Sequence, residues 1–128
     1  MKIEISPDKE KAKALLSMAR VTLERLHETD LRKYPSNTLI DYYDVLHKLC
    51  DAIACIKGIK LKGDGAHQQL IDYICNKYFS EKERIFLQEM RDYRNKIQYE
   101  GFVVNANYID TNSRIIEKII KELIKVIH

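Results

Sequence analysis

The sequence predicts an all-α fold, an up-and-down bundle of four long helices plus one shorter helix, and three observations predict it. Apolar residues recur at three- and four-residue intervals through most of the 128 residues. Only four glycines and two prolines interrupt them, a balance that suits helices better than β structure or disorder. The links between periodic stretches are short, which favours antiparallel neighbours. The length suffices for one core and is too small for two, so 1–128 reads as a single helical-bundle domain.

Ser6, Pro7 and Asp8 have the form of an N-cap, a first-turn proline and a first-turn acid. Leu15, Leu16, Ala19, Leu23 and Leu26 follow at helical spacing, so a first helix is expected from about residue 7 to about 29. Pro35 should break it and bias Tyr34 toward extended backbone, with Ser36, Asn37 or Thr38 capping the next helix. That second helix runs to about residue 57, with Leu39, Tyr42 or Tyr43, Leu46, Leu49, Ile53 and Ile56 as its core positions. KGIKLKGDGAH carries three of the four glycines and reads as a loop opened by a helix-capping glycine. It is not a phosphate-cradling loop, because Asp64 and Gly65 stand where Lys and then Ser or Thr would be needed. The third helix covers about residues 66 to 78, with Leu70, Ile71, Ile74 and Tyr78 facing inward. Ser80 and Glu83 form a capping-box pattern that opens the fourth, and Gly101 closes it. The tail repeats apolar residues at 115/116, 119/120, 123/124 and 127, a fifth amphipathic helix with a basic, solvated outer face.

Composition narrows the functional classes. A formal net charge of +3 is mild for a protein that coats DNA, so no DNA partner is predicted, while an anionic partner is permitted. No apolar run is long enough to span a bilayer, and MKIEISPDKE lacks the apolar stretch of a signal peptide, so a cytoplasmic, membrane-free protein is expected. Cys50, Cys55 and Cys75 are odd in number and lack CxxC spacing, which points to buried thiols. His47 and Cys50 lie three apart on one helical face, but no second pair of ligands has zinc-like spacing. Neither a metal site nor a cofactor is expected.

The segment RDYRNKIQYEG, residues 91–101, is the least ordinary part of the chain. On a helical wheel Phe86, Met90, Tyr93 and Ile97 fall within about 60° and make the expected core stripe. Arg84, Leu87, Arg91, Arg94, Asn95 and Gln98 gather within roughly 100° on one flank, beside the core rather than opposite it. Donors in that half-buried position need partners: a neighbouring helix, a second subunit or a bound anion. The guanidinium fork matches phosphate or carboxylate bidentately. Intrachain acids such as Asp41, Asp44 or Glu24 would satisfy it equally.

The order of these pieces resembles the HEPN domains (higher eukaryotes and prokaryotes nucleotide-binding). YYDVLHKLCDAIACIKGIKLKGDGAHQQLIDYI is similar to the family's long helix, its glycine-containing loop and the His-x-x-Leu-Ile opening of the next helix. RDYRNKIQYEG is similar to the arginine–asparagine motif of its last conserved helix. The resemblance implies an all-α homodimer whose motif helix lines a groove between subunits. It also implies metal-independent RNA cleavage in active members, a minimal nucleotidyltransferase as a frequent partner, and toxin–antitoxin or defence roles. Carried onto this sequence, Arg94 is the motif arginine and Asn95 the residue that follows it.

The family's active motif continues to a histidine, and here no histidine follows: Gln98, Tyr99, Glu100 and Gly101 occupy the stretch. Glutamine does not titrate, and tyrosine is a poor base at neutral pH. The expectation is therefore a catalytically degenerate module that binds RNA, a nucleotide or an acidic partner through Arg84, Arg91, Arg94, Asn95 and Gln98. The alternatives are an active ribonuclease using Arg94 with Tyr99 or Glu100, and a structural dimerisation subunit. His67, at the start of the third helix, is expected in a cap or packing role.

Overall fold

The computed structural model describes residues 1–128. In chain order it contains β1 (Lys2–Glu4), α1 (Lys9–His27), α2 (Pro35–Lys57), β2 (Ile59–Leu61), α3 (Ala66–Tyr78), α4 (Glu81–Glu100) and α5 (Ala106–Ile127). No helix is long and apolar enough to cross a membrane. The class is all-α, with one small ribbon added.

Local chemistry explains most boundaries. Asp8, not Ser6, caps α1: its Oδ1 accepts from the Lys11 amide at 2.9 Å, and its carboxylate sits at the positive end of the helix. Pro7 precedes the helix and packs beside Gly58 instead. α2 starts on Pro35 itself, whose fixed φ and missing N–H suit the first helical position. None of the three expected caps is used as one. The Ser36 hydroxyl accepts from the Val104 amide at 3.1 Å, and the Thr38 hydroxyl donates to the Leu31 carbonyl at 3.1 Å. Gly58, left-handed at φ 69°, ends α2 as expected. Ser80 and Glu83 form the full capping box at α4, and left-handed Gly101 closes it. Asn105 caps α5 by accepting from the Tyr108 amide.

α2 is the hub, packed by all four other helices. Leu39, Leu49, Ile53, Ile74, Met90, Ile116, Ile119, Ile120 and Leu123 are wholly enclosed. Each contributes roughly 1.5–3 kcal/mol by leaving water. Both Tyr42 and Tyr43 are buried, and so are all three cysteines. Burial pushes the thiols of Cys50 and Cys75 well up, which keeps them protonated and unreactive.

Two features depart from the expected arrangement. The glycine-rich link is no simple loop: Ile59–Leu61 pairs antiparallel with the N-terminal strand, Lys2 opposite Leu61 and Glu4 opposite Ile59. The helices also do not alternate strictly. α1 is antiparallel to α2, as Arg25 meets Asp41 at one end and the Asp8 amide meets the Cys55 carbonyl at the other. α3, however, runs parallel to α2, since His67 lies against His47 and Tyr78 lies beside Lys57. The reason is β2. The link that contains it, residues 58–65, carries the chain back along α2 over about 15 Å, the rise of ten helical residues, before α3 begins.

Candidate anion-binding cleft

Helix α4 sits rotated from the expected wheel. Leu87 and Met90 are its fully buried positions, while Phe86, Tyr93 and Ile97 are only half-buried. Tyr93 spends its ring on Phe102 and Tyr108, at centroid separations of 5.6 and 5.4 Å, in a side cluster near the helix end. Arg94 lies four residues after Met90 and seven after Leu87, so it continues the buried line toward α2.

The flank arginines then divide. Arg84 is saturated: it pairs with Asp72 at 3.2 Å and donates twice to Glu81, and these carboxylates hold its pKa above the ordinary arginine value. Gln88 closes the same network by donating to Asp72 at 3.0 Å. Arg91 donates to Gln88 and to Asp92, both at 3.0 Å. Arg94 has no carboxylate within 4.0 Å, and its one side-chain partner is Asn95 Oδ1, which accepts from Nη1 at 3.2 Å. Of the three acids expected to satisfy it, Asp41 pairs with Arg25 at 2.9 Å, Asp44 pairs with Lys48 at 2.6 Å, and Glu24 forms no ion pair with it.

Arg94 and Gln98 face Tyr43, Asp44 and His47 of α2 and His67 of α3 across a cleft of about 170 Å³. His47 and His67 are in contact, ring centroids 4.1 Å apart and tilted by 45°. His47 Nδ1 lies 3.3 Å from Asp51 Oδ2, while its Nε2 is buried with no partner. Burial lowers the His47 pKa, with Asp51 opposing and His67 adding to the shift, so the ring is neutral at pH 7. The Asp51 carboxylate on the Nδ1 side favours the tautomer with its proton there, which makes Nε2 the lone-pair side. The Tyr43 hydroxyl is likewise buried and unpartnered, and burial pushes its pKa up to about 12 against the opposing pull of Arg91 and Arg94. It remains a hydrogen-bond donor.

The expected site residues are thus spread over two places. Arg94 and Gln98 line the cleft, Asn95 orients Arg94 from behind, and Arg84 and Arg91 belong to acid networks. Tyr99 is 77% exposed and Glu100 is the exposed last residue of α4, and neither lines the cleft. Tyr43 and His47 are the residues that the sequence reading left out of the site. Their four-residue spacing, which stacks the rings 6.1 Å apart on one face of α2, was the available signal. His67 arrives through the parallel run of α3.

Chemically, the cleft offers a guanidinium without an ion pair, an amide, a protonated phenol, the neutral imidazole of His47 and the imidazole of His67, with Asp41 and Asp44 on its α2 wall. With the outward cations Arg25 and Lys48 cancelling Asp41 and Asp44, its net character is positive. No family model matches the chain, and neither does any curated protein or solved structure.

Proposed function

We propose that this chain is a HEPN-like binding module that holds RNA or nucleotide phosphate in the Arg94 cleft and works as a homodimer, without cleaving its ligand. One observation carries the reading: Arg94 is half-buried among α2, α3 and α4 and has no acid partner, while Arg84 on the same helix is fully neutralised. A half-buried arginine left without a carboxylate is costly unless an oxyanion completes it, and a phosphate fits its fork. Gln98 and the Tyr43 hydroxyl supply neutral donors beside it. Family resemblance supports the homodimer, a nucleotidyltransferase partner and a role in a toxin–antitoxin or defence pair.

The test is fluorescence anisotropy with a short single-stranded RNA at two salt concentrations. Wild type should bind and weaken steeply with salt as counterions compete, and Arg94→Ala should bind at least tenfold more weakly. Equal binding by the two proteins would sink the reading.

A second reading is favoured by the histidines. His47 and His67 line the cleft opposite Arg94, where Tyr99 and Glu100 do not, and this supports as the alternative a metal-independent RNA cleavage in which that pair serves as acid and base. Incubation with mixed RNA in EDTA separates the two: cleavage lost in Arg94→Ala and in His47→Gln establishes the enzyme, and intact RNA leaves the binding module.

A further inference from the structure

Behind the histidine pair lies a second, larger cavity of about 340 Å³, which the phosphate reading does not use. His47 and His67 are walls of both cavities. The far walls come from the segment entering α1, with Asp8 and Lys11, from Asp51 on α2 and from Lys60 on β2. Its charges are largely unspent. Neither lysine has a carboxylate within 4.0 Å, Asp51 meets only His47, and Asp8 uses Oδ1 to cap α1 and leaves Oδ2 free. Two lysines against two aspartates make this cavity neutral overall.

That balance decides what belongs there. A phosphate would meet Asp8 and Asp51 as well as the lysines, and it has a better seat at Arg94. A flat, uncharged ring edged with donors and acceptors would satisfy both signs and rest its face on an imidazole. The volume falls within the range of small-molecule sites. Resting on the phosphate reading of the adjoining cleft, we propose that this cavity is a nucleobase subsite selective for the bases whose 6- or 4-position carries an amine rather than a carbonyl, adenine and cytosine. The amine donates to Asp51 or Asp8, Lys60 or Lys11 donates to a ring nitrogen or carbonyl, and the phosphate reaches past the histidines to Arg94. Uracil presents a carbonyl where the amine would stand and leaves the carboxylate unpaired.

The experiment is a two-dimensional ¹H–¹⁵N NMR titration of the whole chain with the 5′-monophosphates of adenosine, cytidine and uridine, with the free nucleosides, and with inorganic phosphate. Adenosine and cytidine monophosphates should bind about tenfold more tightly than uridine monophosphate, the worth of one hydrogen bond to a charged group. Asp51→Asn should erase that preference, and Lys60→Ala, at an exposed strand position, should weaken all three bases by a few-fold. Spectral dispersion of each variant verifies its fold. Equal affinity for the three nucleotides, or a preference untouched by Asp51→Asn and Asp8→Asn, overturns the subsite while leaving phosphate binding intact. Nucleosides that bind with amine preference in a protein indifferent to phosphate would sink the Arg94 reading alone. Binding of phosphate without any gain from a base also overturns the inference.

Discussion

Arg84 and Arg94 share one helix and one flank, yet only one is available. Arg84 stands near the start of α4, where Asp72 of α3 and Glu81 of the first turn enclose its fork. Arg94 stands where α4 crosses α2, and the acids there already hold Arg25 and Lys48. The difference teaches that an arginine's residue type and wheel position do not make it a ligand-binding group. What matters is whether neighbouring carboxylates are spent on it or on something else.

The contrast is open to attack from several sides. The largest effect should come from Leu87→Ala, which tests whether this flank truly faces the core. At 2% exposure Leu87 should cost about 2–5 kcal/mol of unfolding free energy by chemical denaturation, and a change near zero would put the helix back on its expected rotation. Next is the pair Arg94→Ala and Arg84→Ala. The first should weaken RNA binding by at least tenfold, about 1.4 kcal/mol, while Arg84→Ala leaves affinity within twofold in the same anisotropy assay. Similar losses in both would erase the distinction.

A smaller effect concerns pH. His47 is faced by Asp44, Lys48 and Asp51 on α2, by His67 on α3, by Arg94 on α4, by Asp8 and Lys11 on α1 and its approach, and by Lys60 on β2. Its pKa is lowered in the folded chain, so the unfolded chain takes up the proton first. Stability attached to this ring is complete above the ordinary histidine value of 6.5. It declines as pH falls from there to the lower folded pKa, at no more than about 1.4 kcal/mol per pH unit. His47→Gln should remove that component of the slope in urea titrations between pH 7.5 and 5. The smallest expected change is in Asn95→Ala, which loosens Arg94 and should reduce RNA affinity by a few-fold only.

Some helix ends and core faces were legible in the sequence, though the α1 cap falls on Asp8 rather than Ser6 and α2 has no side-chain cap. Ser80, Glu83 and Gly101 bracket α4, and the apolar pairs of the tail bury Ile116, Ile119, Ile120 and Leu123. The cleft was half legible. Arg94 and Gln98 stood out, but their partners come from 47 and 67, brought together by a link whose β character depends on pairing with residues 2–4. Ile59–Leu61 is three residues long, too short for alternation to show, and its partner, Lys2–Glu4, lies nearly sixty residues earlier in the sequence. The rotation of α4 was hidden too, since a wheel cannot show that Tyr93 finds Phe102 and Tyr108 outside the main core.

The β1–β2 ribbon also bears on how the molecule assembles. During synthesis β1 leaves the ribosome long before β2 exists, so the first strand must wait, unpaired, while α1 and α2 form their hairpin. Closing a loop of nearly sixty residues for one three-residue pairing would be entropically dear relative to its few hydrogen bonds. The hairpin removes most of that cost by joining the Asp8 amide to the Cys55 carbonyl, so the ribbon should close after the hairpin rather than before it. Until it does, the wall contributed by Lys60 is missing, so the larger cavity is completed only once the hairpin is in place.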